Sequence, residues 1–493
     1  MIVLFNPVST TPGKQPLPLS VLSLAAVLEG VRPWTLVDGN VVPDPAAEIA
    51  ARFSRVPRTD APLLGVTVMP GPQLVQAVHV CRAVRARLPH VPIVWGGYFP
   101  TQHIDTVLHS SLVDAVVRSQ GEQPLLRLAA ALHTGAPLEG VPSLSWKRPD
   151  GEIVHNPAAP MTPLDELPDL PYHRIEMRDY IHPTCLGPRT AAHHSSFGCP
   201  FACSFCAVVA MSNRRWLAQS PARVARVVSH LVTEYRVDAL QMHDMDFFIS
   251  EARAAECADR IAPLGIRWWG LGRIDTLMQY SDATWRTLVR SGLKMVFSGA
   301  ESASDAVLAT MNKGGKASAS LTIELARRMR GYGVVPEFSF VLGSPPDPLG
   351  DAAATFEFIR TIKRVNPATE IVLYTYTPVP MDGTLYAEAS RLGFAFPTTL
   401  DEWASDRWRQ VMMRRGHGIP WLDGGLQRRV HNFERVLNAF YPTSTDPRLT
   451  PARRALLRTI SAWRYALKWY AAPYELHALQ RVMHYQRPET TGF

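Results

Sequence analysis

The sequence predicts an α/β protein: an N-terminal doubly wound, flavodoxin-like (Rossmann-like) domain, a second strand–helix array, and a mainly helical C-terminal segment. Three observations predict it. Short apolar runs alternate with helical periods over residues 1–146, the alternation resumes over 193–395 after a proline-rich break, and it stops after 395, where the charge turns basic. Such alternation places parallel strands in one sheet with helices on its faces.

The bulk numbers set the frame. The chain of 493 residues is 46% apolar and 19% charged, a globular composition with core for several domains. Its apolar runs are too short for a spanning helix. Met1–Pro7 lacks a basic leader region, so no signal peptide is expected. Cys81, Cys185 and Cys257 are scattered and make no disulfide framework, which suits a reducing cytoplasm. The net charge of +8 is unevenly placed: residues 401–493 carry 15 Lys and Arg against 8 Asp and Glu, while the first 400 are nearly neutral. Nucleic-acid binding is not expected, because this surplus is small and no recognition motif accompanies it.

In the first array the strands are expected at 2–5, 34–37, 63–68, 93–95 and 115–117, with helices near 19–29, 44–54, 72–88, 101–109 and 122–132. Ligands of doubly wound sheets bind beyond the carboxyl ends of the strands. The residues there are Asn6; Asp38 and Gly39; Thr67, Met69, Gly71 and Gln73; Gly96, Gly97 and Tyr98; Gly121 and Glu122. Glycines at these ends let backbone approach a large flat ligand. Residues 147–192 carry eight prolines and read as an extended linker, with Tyr172, His173 and Arg174 suited to packing across the junction.

The second array opens on Cys199-Pro200-Phe201-Ala202-Cys203-Ser204-Phe205-Cys206. Three thiolates at C-x3-C-x2-C spacing suit three irons of a four-iron, four-sulfur cluster. Zinc completed by His193 and His194, or three unrelated buried cysteines, are the alternatives. Strands are expected near 193–197, 238–242, 267–272, 294–298, 335–341 and 370–376, with helices between them. Four strand ends carry polar residues: Asp244 and Asp246; Arg273; Ser298 and Glu301; and the Leu342–Gly343 stretch leading to Asp347.

The cysteine motif, with Phe205 before its third cysteine, resembles the radical SAM superfamily. The resemblance implies a 4Fe-4S cluster held by Cys199, Cys203 and Cys206, with one iron open to S-adenosylmethionine (SAM). It also implies a partial (β/α)6 TIM barrel over 193–395. Carried over by position, Phe205 belongs to the SAM site, Asp244 or Asp246 meets the SAM amino group, and Arg273 meets its carboxylate. Ser298 and Glu301 meet the ribose or methionine part, and Leu342 and Gly343 the adenine. The first array, standing ahead of this motif, resembles the cobalamin-binding domain of cobalamin-dependent radical SAM enzymes. The whole layout is similar both to their class B methyltransferases and to the anaerobic magnesium-protoporphyrin ester cyclase group. The D-x-H-x-x-G signature of other cobalamin proteins is absent, so no histidine is expected on the lower face of cobalt. The alternative is a flavodoxin-like domain that only positions substrate.

The resemblance implies reductive cleavage of SAM and C-methylation of an unactivated carbon in a small-molecule or lipid-like intermediate. Radical ring closure without methyl transfer and a non-catalytic cobalamin-responsive protein are the alternatives. An electron donor of flavodoxin or ferredoxin type is the implied partner. In the basic segment 396–493, Ala452–Tyr470 reads as an amphipathic helix, with Leu456, Ile460, Trp463, Leu467 and Tyr470 on one side and Arg454, Arg458, Arg464 and Lys468 opposite or flanking. Such a helix either packs on the barrel or lies on a membrane surface. The pairs Arg414–Arg415 and Arg428–Arg429 are candidates for an anionic substrate.

Overall fold

A computed structural model describes the chain except residues 12, 56–60, 314–315, 381–383, 414–415, 423, 444, 447–448, 484 and 486–493. The Arg414–Arg415 pair therefore lies outside the described residues.

The N-terminal sheet has seven strands: β1 (Ile2–Asn6), β2 (Trp34–Asp38), β3 (Leu63–Thr67), β4 (Ile93–Gly96), β5 (Ala115–Val117), β6 (Leu144–Lys147) and β7 (Ile153–His155). Their order is β2-β1-β3-β4-β5-β6-β7. The first five are parallel, in the flavodoxin order, with the switch of direction between β1 and β3. Strands β6 and β7 add antiparallel at the β5 edge. Continuous Val, Leu and Ile in β1 and β3 follow from burial on both faces, since helices cover each side.

The second sheet holds β8 (Thr190–His193), β11 (Ala239–Met242), β12 (Arg267–Leu271), β13 (Leu293–Glu301), β14 (Val335–Leu342) and β15 (Glu370–Thr375), all parallel and in chain order. It is an open, six-stranded partial barrel. Four of its helices begin behind Ser220, Ser250, Ser281 and Ser318, and each hydroxyl takes the N–H of the third helical residue. Such a cap contributes about 1 kcal/mol. The strand expected at 193–197 divides. Its sheet part ends at His193, and β9 (Ser196–Gly198) leaves to pair antiparallel with β10 (Trp216–Ala218). Asp244 fixes the bend by accepting the Ser195 N–H at 3.2 Å and the Ser195 hydroxyl at 2.8 Å.

The connecting stretch is packed, not free. The Arg223 guanidinium, buried on a barrel helix, donates to the carbonyls of Leu164, Leu167 and Pro168. The Tyr180 hydroxyl donates to Asp38 at 2.8 Å, and the Arg174 guanidinium lies 4.8 Å from the Trp34 ring. After the barrel the chain straps both domains. The Trp421 indole N–H donates to the Gly343 carbonyl at 2.9 Å, while the Gly71 N–H donates to Met412 Sδ at 3.1 Å. Trp403 inserts against Phe99 and His103 of the N-terminal domain.

The helix Pro451–Leu467 differs from the simplest expectation for an amphipathic helix on a barrel. Its packed positions are Leu457, Ser461, Arg464 and Tyr465, with the Arg464 guanidinium folded onto Glu475. The expected stripe divides: Ile460 and Tyr470 pack against the core, while Leu456 (48% exposed), Trp463 (47%) and Leu467 (71%) face outward, followed by Trp469 at 57%.

Candidate functional site

The cluster loop is held by a second segment. The Ser204 N–H donates to the Met311 carbonyl at 3.0 Å, its hydroxyl to the Thr310 carbonyl at 3.1 Å, and Asn312 Nδ2 to the Ala202 carbonyl at 3.1 Å. Gly198 begins the loop at φ +79°, and a Cβ there would stand 2.2 Å from the Arg215 carbonyl oxygen. Only glycine makes that turn. Burial pushes the Cys199 thiol up to about 12 and raises Cys203 as well, so bare thiolates are disfavoured there and metal bonds would compensate. Among the described residues, no three Cys, His, Asp or Glu converge as a single metal ion requires. His193 instead pairs with Gln219 at 3.1 Å. A cluster makes no such demand, because each thiolate takes its own iron. The chemistry of the three thiols on one loop fits a cluster.

The strand ends around the loop sort the candidate SAM residues. Asp244 is fully engaged with Ser195 and Ser196, so it acts as a brace. Asp246 accepts the Phe248 N–H through Oδ1 at 2.9 Å, but its Oδ2 is buried without a hydrogen-bond partner. Burial raises its pKa to about 7. Ser298 Oγ is likewise buried and without a hydrogen-bond partner. These two atoms are the orphans a polar ligand would satisfy. Glu301, at φ +64°, pairs with Lys313 at 3.0 Å, both side chains buried. Arg273 forks onto both oxygens of Asp275, at 3.0 and 2.7 Å, and also donates to the Lys313 carbonyl. Its guanidinium stacks 3.7 Å from the Phe201 ring centroid, with Nη1 3.5 Å from Cys203 Sγ. That fork is already occupied within the protein, and its cation faces the Cys203 thiol. Phe205 packs with Val341 and Trp421 around Tyr376, and Leu342 is buried between strand and helix. Asp275, Lys313 and Phe201 carried no motif of their own; their roles follow from the partners the fold brings to them.

In the N-terminal domain, Asn6, Asp38 and Gln73 serve one another. Asn6 Nδ2 donates to Asp38 at 3.1 Å, Gln73 Nε2 donates to Asn6 at 3.2 Å, and the Met69 N–H donates to Gln73 at 3.1 Å. Gly39 N–H closes onto the Asn6 carbonyl, and Glu122 accepts the Ser23 hydroxyl at the N-terminus of its helix, just after Gly121. This network ties strand ends together and leaves the loop tips open. Met69 is exposed, and a Cβ at Gly71 would meet nothing within 4 Å. Gly96 and Gly97 end β4 beside Thr67, and Tyr98 opens the next helix. The Gly71 N–H is taken by Met412 Sδ, and the space beyond its Cα is what fits a large flat group. His103 is removed from any ligand role by its cage of Phe99, Phe396 and Trp403 rings, where burial lowers its pKa to about 4.

Gly97 sits at φ +96°, where a Cβ would crowd Thr67 Oγ1 at 3.2 Å and the Val68 backbone at 3.4 Å. Gly97→Val is expected to cost about 1–3 kcal/mol and to weaken cobalamin binding at least tenfold while iron content is unchanged. Thermal unfolding and cobalamin titration of the purified protein check both.

Residues 6–129 match the family described as the B12 binding domain. The N-terminal domain is a B12-binding domain. Over 349 residues the chain is 26% identical to an uncharacterized methyltransferase of Pyrococcus horikoshii, covering 70% of this chain and 73% of that protein. Over 317 residues it is 26% identical to the anaerobic magnesium-protoporphyrin IX monomethyl ester cyclase of Synechocystis sp., covering 63% of this chain and 62% of the cyclase. Among solved structures, the cobalamin-dependent S-adenosylmethionine radical enzyme OxsB, with aqua-cobalamin and SAM bound, shares the fold. Its TM-score is 0.71 at 16% identity, covering 98% of this chain and 74% of that one.

The B12-binding domain meets the cluster loop directly. The helix Val208–Ser212, which follows Cys206, abuts the helix Tyr98–Gln102. Gln102 Nε2 donates to the Ala207 carbonyl at 3.1 Å, and the Ser119 hydroxyl to the Met211 carbonyl at 2.6 Å. The carboxyl ends of β4 and β5 are thereby fastened to the cysteine motif.

Proposed function

We propose that this chain is a cobalamin-dependent radical SAM methyltransferase that C-methylates an unactivated carbon of a small-molecule or lipid-like intermediate. The observation that carries the reading is the direct tie between the cluster loop and the strand ends of the B12-binding domain. It supports a common junction for a cluster on this loop and a methyl carrier on the B12-binding domain, where one substrate carbon would be reached from both.

When bound, the cofactors supply reductive cleavage of SAM to a 5′-deoxyadenosyl radical and a methyl group carried by cobalamin. The chain supplies position. Cys199, Cys203 and Cys206 hold the cluster. Asp246 Oδ2 and Ser298 Oγ take the polar groups of SAM, and Glu301 adds a buried carboxylate whose charge Lys313 balances. Gly343 lies at the strand end that would meet the adenine, whereas Leu342, expected there too, is buried in the core under the helices and does not reach it. Trp403, packed on Phe99 and His103, and Trp421, bonded to the Gly343 carbonyl, exclude water at the junction. Arg273 holds the loop through Phe201 and places a cation beside Cys203. The likeness to the cyclase of Synechocystis sp. favours a second reading, radical ring closure without methyl transfer. Turnover with isotopically labelled SAM separates them. Methyl transfer yields S-adenosylhomocysteine together with 5′-deoxyadenosine, and absence of the former rejects the first reading. An electron donor of flavodoxin or ferredoxin type completes it.

No helix among the described residues is long and apolar enough to cross a membrane. The outward stripe of Leu456, Trp463, Leu467 and Trp469, flanked by Arg453, Arg458 and Lys468, supports peripheral contact with an anionic bilayer, where a lipid-like substrate is met. The protein is expected to float with vesicles containing phosphatidylglycerol and not with pure phosphatidylcholine. Trp463→Asp with Leu467→Asp should abolish flotation and lower the melting temperature only slightly, since Leu467 is mostly exposed and Trp463 stacks on the Arg464 guanidinium at 4.7 Å with half its surface exposed.

A further inference from the structure

Two buried ion pairs stand behind the cysteine loop and share one support. Arg273, just after β12, pairs with Asp275, and Lys313, next to the Thr310–Asn312 clamp of the loop, pairs with Glu301. Each of the four keeps under a tenth of its side-chain surface. The pairs are linked, because Arg273 Nη2 donates to the Lys313 carbonyl and Lys313 Nζ donates to the Gly299 carbonyl. Every edge of the Arg273 guanidinium is assigned. Nε and Nη2 hold the two Asp275 oxygens at 3.0 and 2.7 Å, the flat face lies 3.7 Å over the Phe201 ring, and Nη1 is 3.5 Å from Cys203 Sγ. The pair is an oriented dipole, with its carboxylate on one edge of the guanidinium and its positive end against the sulfur.

The thiols of the loop do not feel the same charges. Cys203 lies in the field of Lys313, Arg273 and Glu301, whereas the side-chain carboxylate felt at Cys199 is that of Asp246. For the fold alone this arrangement is costly. Burying a guanidinium with its carboxylate forfeits hydration that their mutual attraction recovers only in part, and an apolar side chain would cover Phe201 more cheaply. The cost is offset when negative charge stands at Cys203. A four-iron cluster on Cys199, Cys203 and Cys206 brings it there, since each ligating sulfur is a thiolate and reduction adds one further negative charge. The potential of such a cluster follows its net charge and the hydrogen bonds its sulfurs accept. A charged donor at the sulfur strengthens with the negative charge it meets, so it favours the reduced cluster over the oxidised one.

We propose that Arg273 tunes the cluster: held by Asp275 and Phe201, it donates an N–H···S hydrogen bond to the Cys203 ligand and raises the reduction potential of the 4Fe-4S couple. The electron is then accepted more readily from a donor of flavodoxin or ferredoxin type. The couple carries one electron, which leaves the donor and stays on the cluster, and no proton or ligand moves with it. Arg273 acts through Cys203 and is a positioning residue. The edge of its guanidinium that would take the SAM carboxylate is filled by Asp275, so that carboxylate is met elsewhere at the strand ends. The inference rests on the cluster-bearing reading above, but its test does not depend on turnover.

The test uses the full chain loaded with cluster and cobalamin, without SAM, and follows the reduced cluster by electron paramagnetic resonance as the applied potential is stepped. Arg273→Gln with Asp275→Asn removes both charges and keeps polar groups in place. At a fixed applied potential the ratio of reduced to oxidised cluster is expected to fall at least tenfold, a shift of about 59 mV for one electron. Asp275→Asn alone leaves the cation uncompensated, and the same ratio should rise at least threefold. Opposite signs are the signature of charge, since a loosened loop would move both variants the same way. SAM affinity of the double variant, measured by calorimetry, should stay within threefold of the wild type. An unchanged potential or shifts of one sign overturn the proposal, and an unchanged potential with SAM affinity lowered at least thirtyfold returns Arg273 to the SAM carboxylate. Should a variant fail to assemble its cluster, wild-type protein labelled with nitrogen-15 in its arginine guanidinium groups decides alone. Its reduced cluster should show a nitrogen-15 hyperfine coupling in pulsed resonance, and absence of that coupling overturns the proposal. A wild-type protein that binds no iron rejects the cluster reading itself, whereas a loaded protein with an unmoved potential rejects only the role of Arg273.

Discussion

Cys203→Ala protein is expected to bind no iron–sulfur cluster and to form no 5′-deoxyadenosine, while its cobalamin binding is retained. The loss is specific because the loop does not depend on the thiol for its shape. Ser204 and the Ala202 carbonyl remain strapped to Thr310–Asn312, Gly198 keeps its turn, and the helix Val208–Ser212 stays fastened to the B12-binding domain. The substitution removes one small buried group, a change costing about 1–2 kcal/mol, so the folded protein survives. The cluster does not, because two thiolates in a loop with no fourth cysteine leave two irons without protein ligands. Iron and sulfide analysis, the visible absorbance of bound cobalamin, and product analysis with SAM and a chemical reductant read the three parts separately. SAM cleavage retained in Cys203→Ala overturns the cluster assignment. Cobalamin lost together with iron would mean that the two domains fold as one unit across the Ser119–Met211 and Gln102–Ala207 contacts.

How much of this was legible beforehand depends on the distance over which each feature is written. The cysteine loop lies within eight consecutive residues, and the two parallel arrays follow from strand–helix alternation, so both were readable without coordinates; the order of the strands was not. The partners of Arg273 were not. An arginine at a strand end suits a carboxylate of SAM equally well until Asp275, two residues on, is seen to take its fork, and Phe201 and Cys203 lie some 70 residues away in sequence. Asp244 and Asp246 are equivalent in sequence and distinct only once Ser195 and Ser196 have folded under the first of them. For the helix Pro451–Leu467, periodicity defines an apolar stripe, and only tertiary packing decides which way it points. Leu457 and Tyr465, offset from the stripe, took core positions beside Ile460 and Tyr470, which belong to it.

The second large effect is expected at Asp246, where stability and SAM binding should respond to pH with opposite signs. Its carboxyl is fully buried, one oxygen holds the Phe248 N–H, the other has no hydrogen-bond partner, and burial raises its pKa from 3.8 to about 7. In the unfolded chain the group ionises near its ordinary pKa. In the folded protein without ligand it stays protonated until about pH 7. The unfolded state therefore binds fewer protons between those limits, and stability falls as pH rises from about 4 to about 7, by up to about 4 kcal/mol, then levels off. The ammonium of SAM at Oδ2 reverses the balance, since it favours the ionised carboxylate. Binding then releases a proton below pH 7, and affinity should rise toward tenfold per pH unit up to about pH 7 and flatten above it. Asp246→Asn keeps the shape and removes the titration. Its melting temperature at pH 8 should exceed that of the wild type, its SAM affinity should drop at least thirtyfold, and the pH dependence of binding between 5.5 and 7 should vanish. Asp244→Asn is the control. It disturbs the Ser195–Ser196 brace, lowers stability, and leaves the slope of SAM affinity against pH in place. Calorimetric titration of the cluster-loaded protein from pH 5.5 to 8.5, in buffers of differing ionisation enthalpy, measures both affinity and proton release. A wild-type slope in Asp246→Asn, or its loss in Asp244→Asn, would exchange the roles of the two carboxylates.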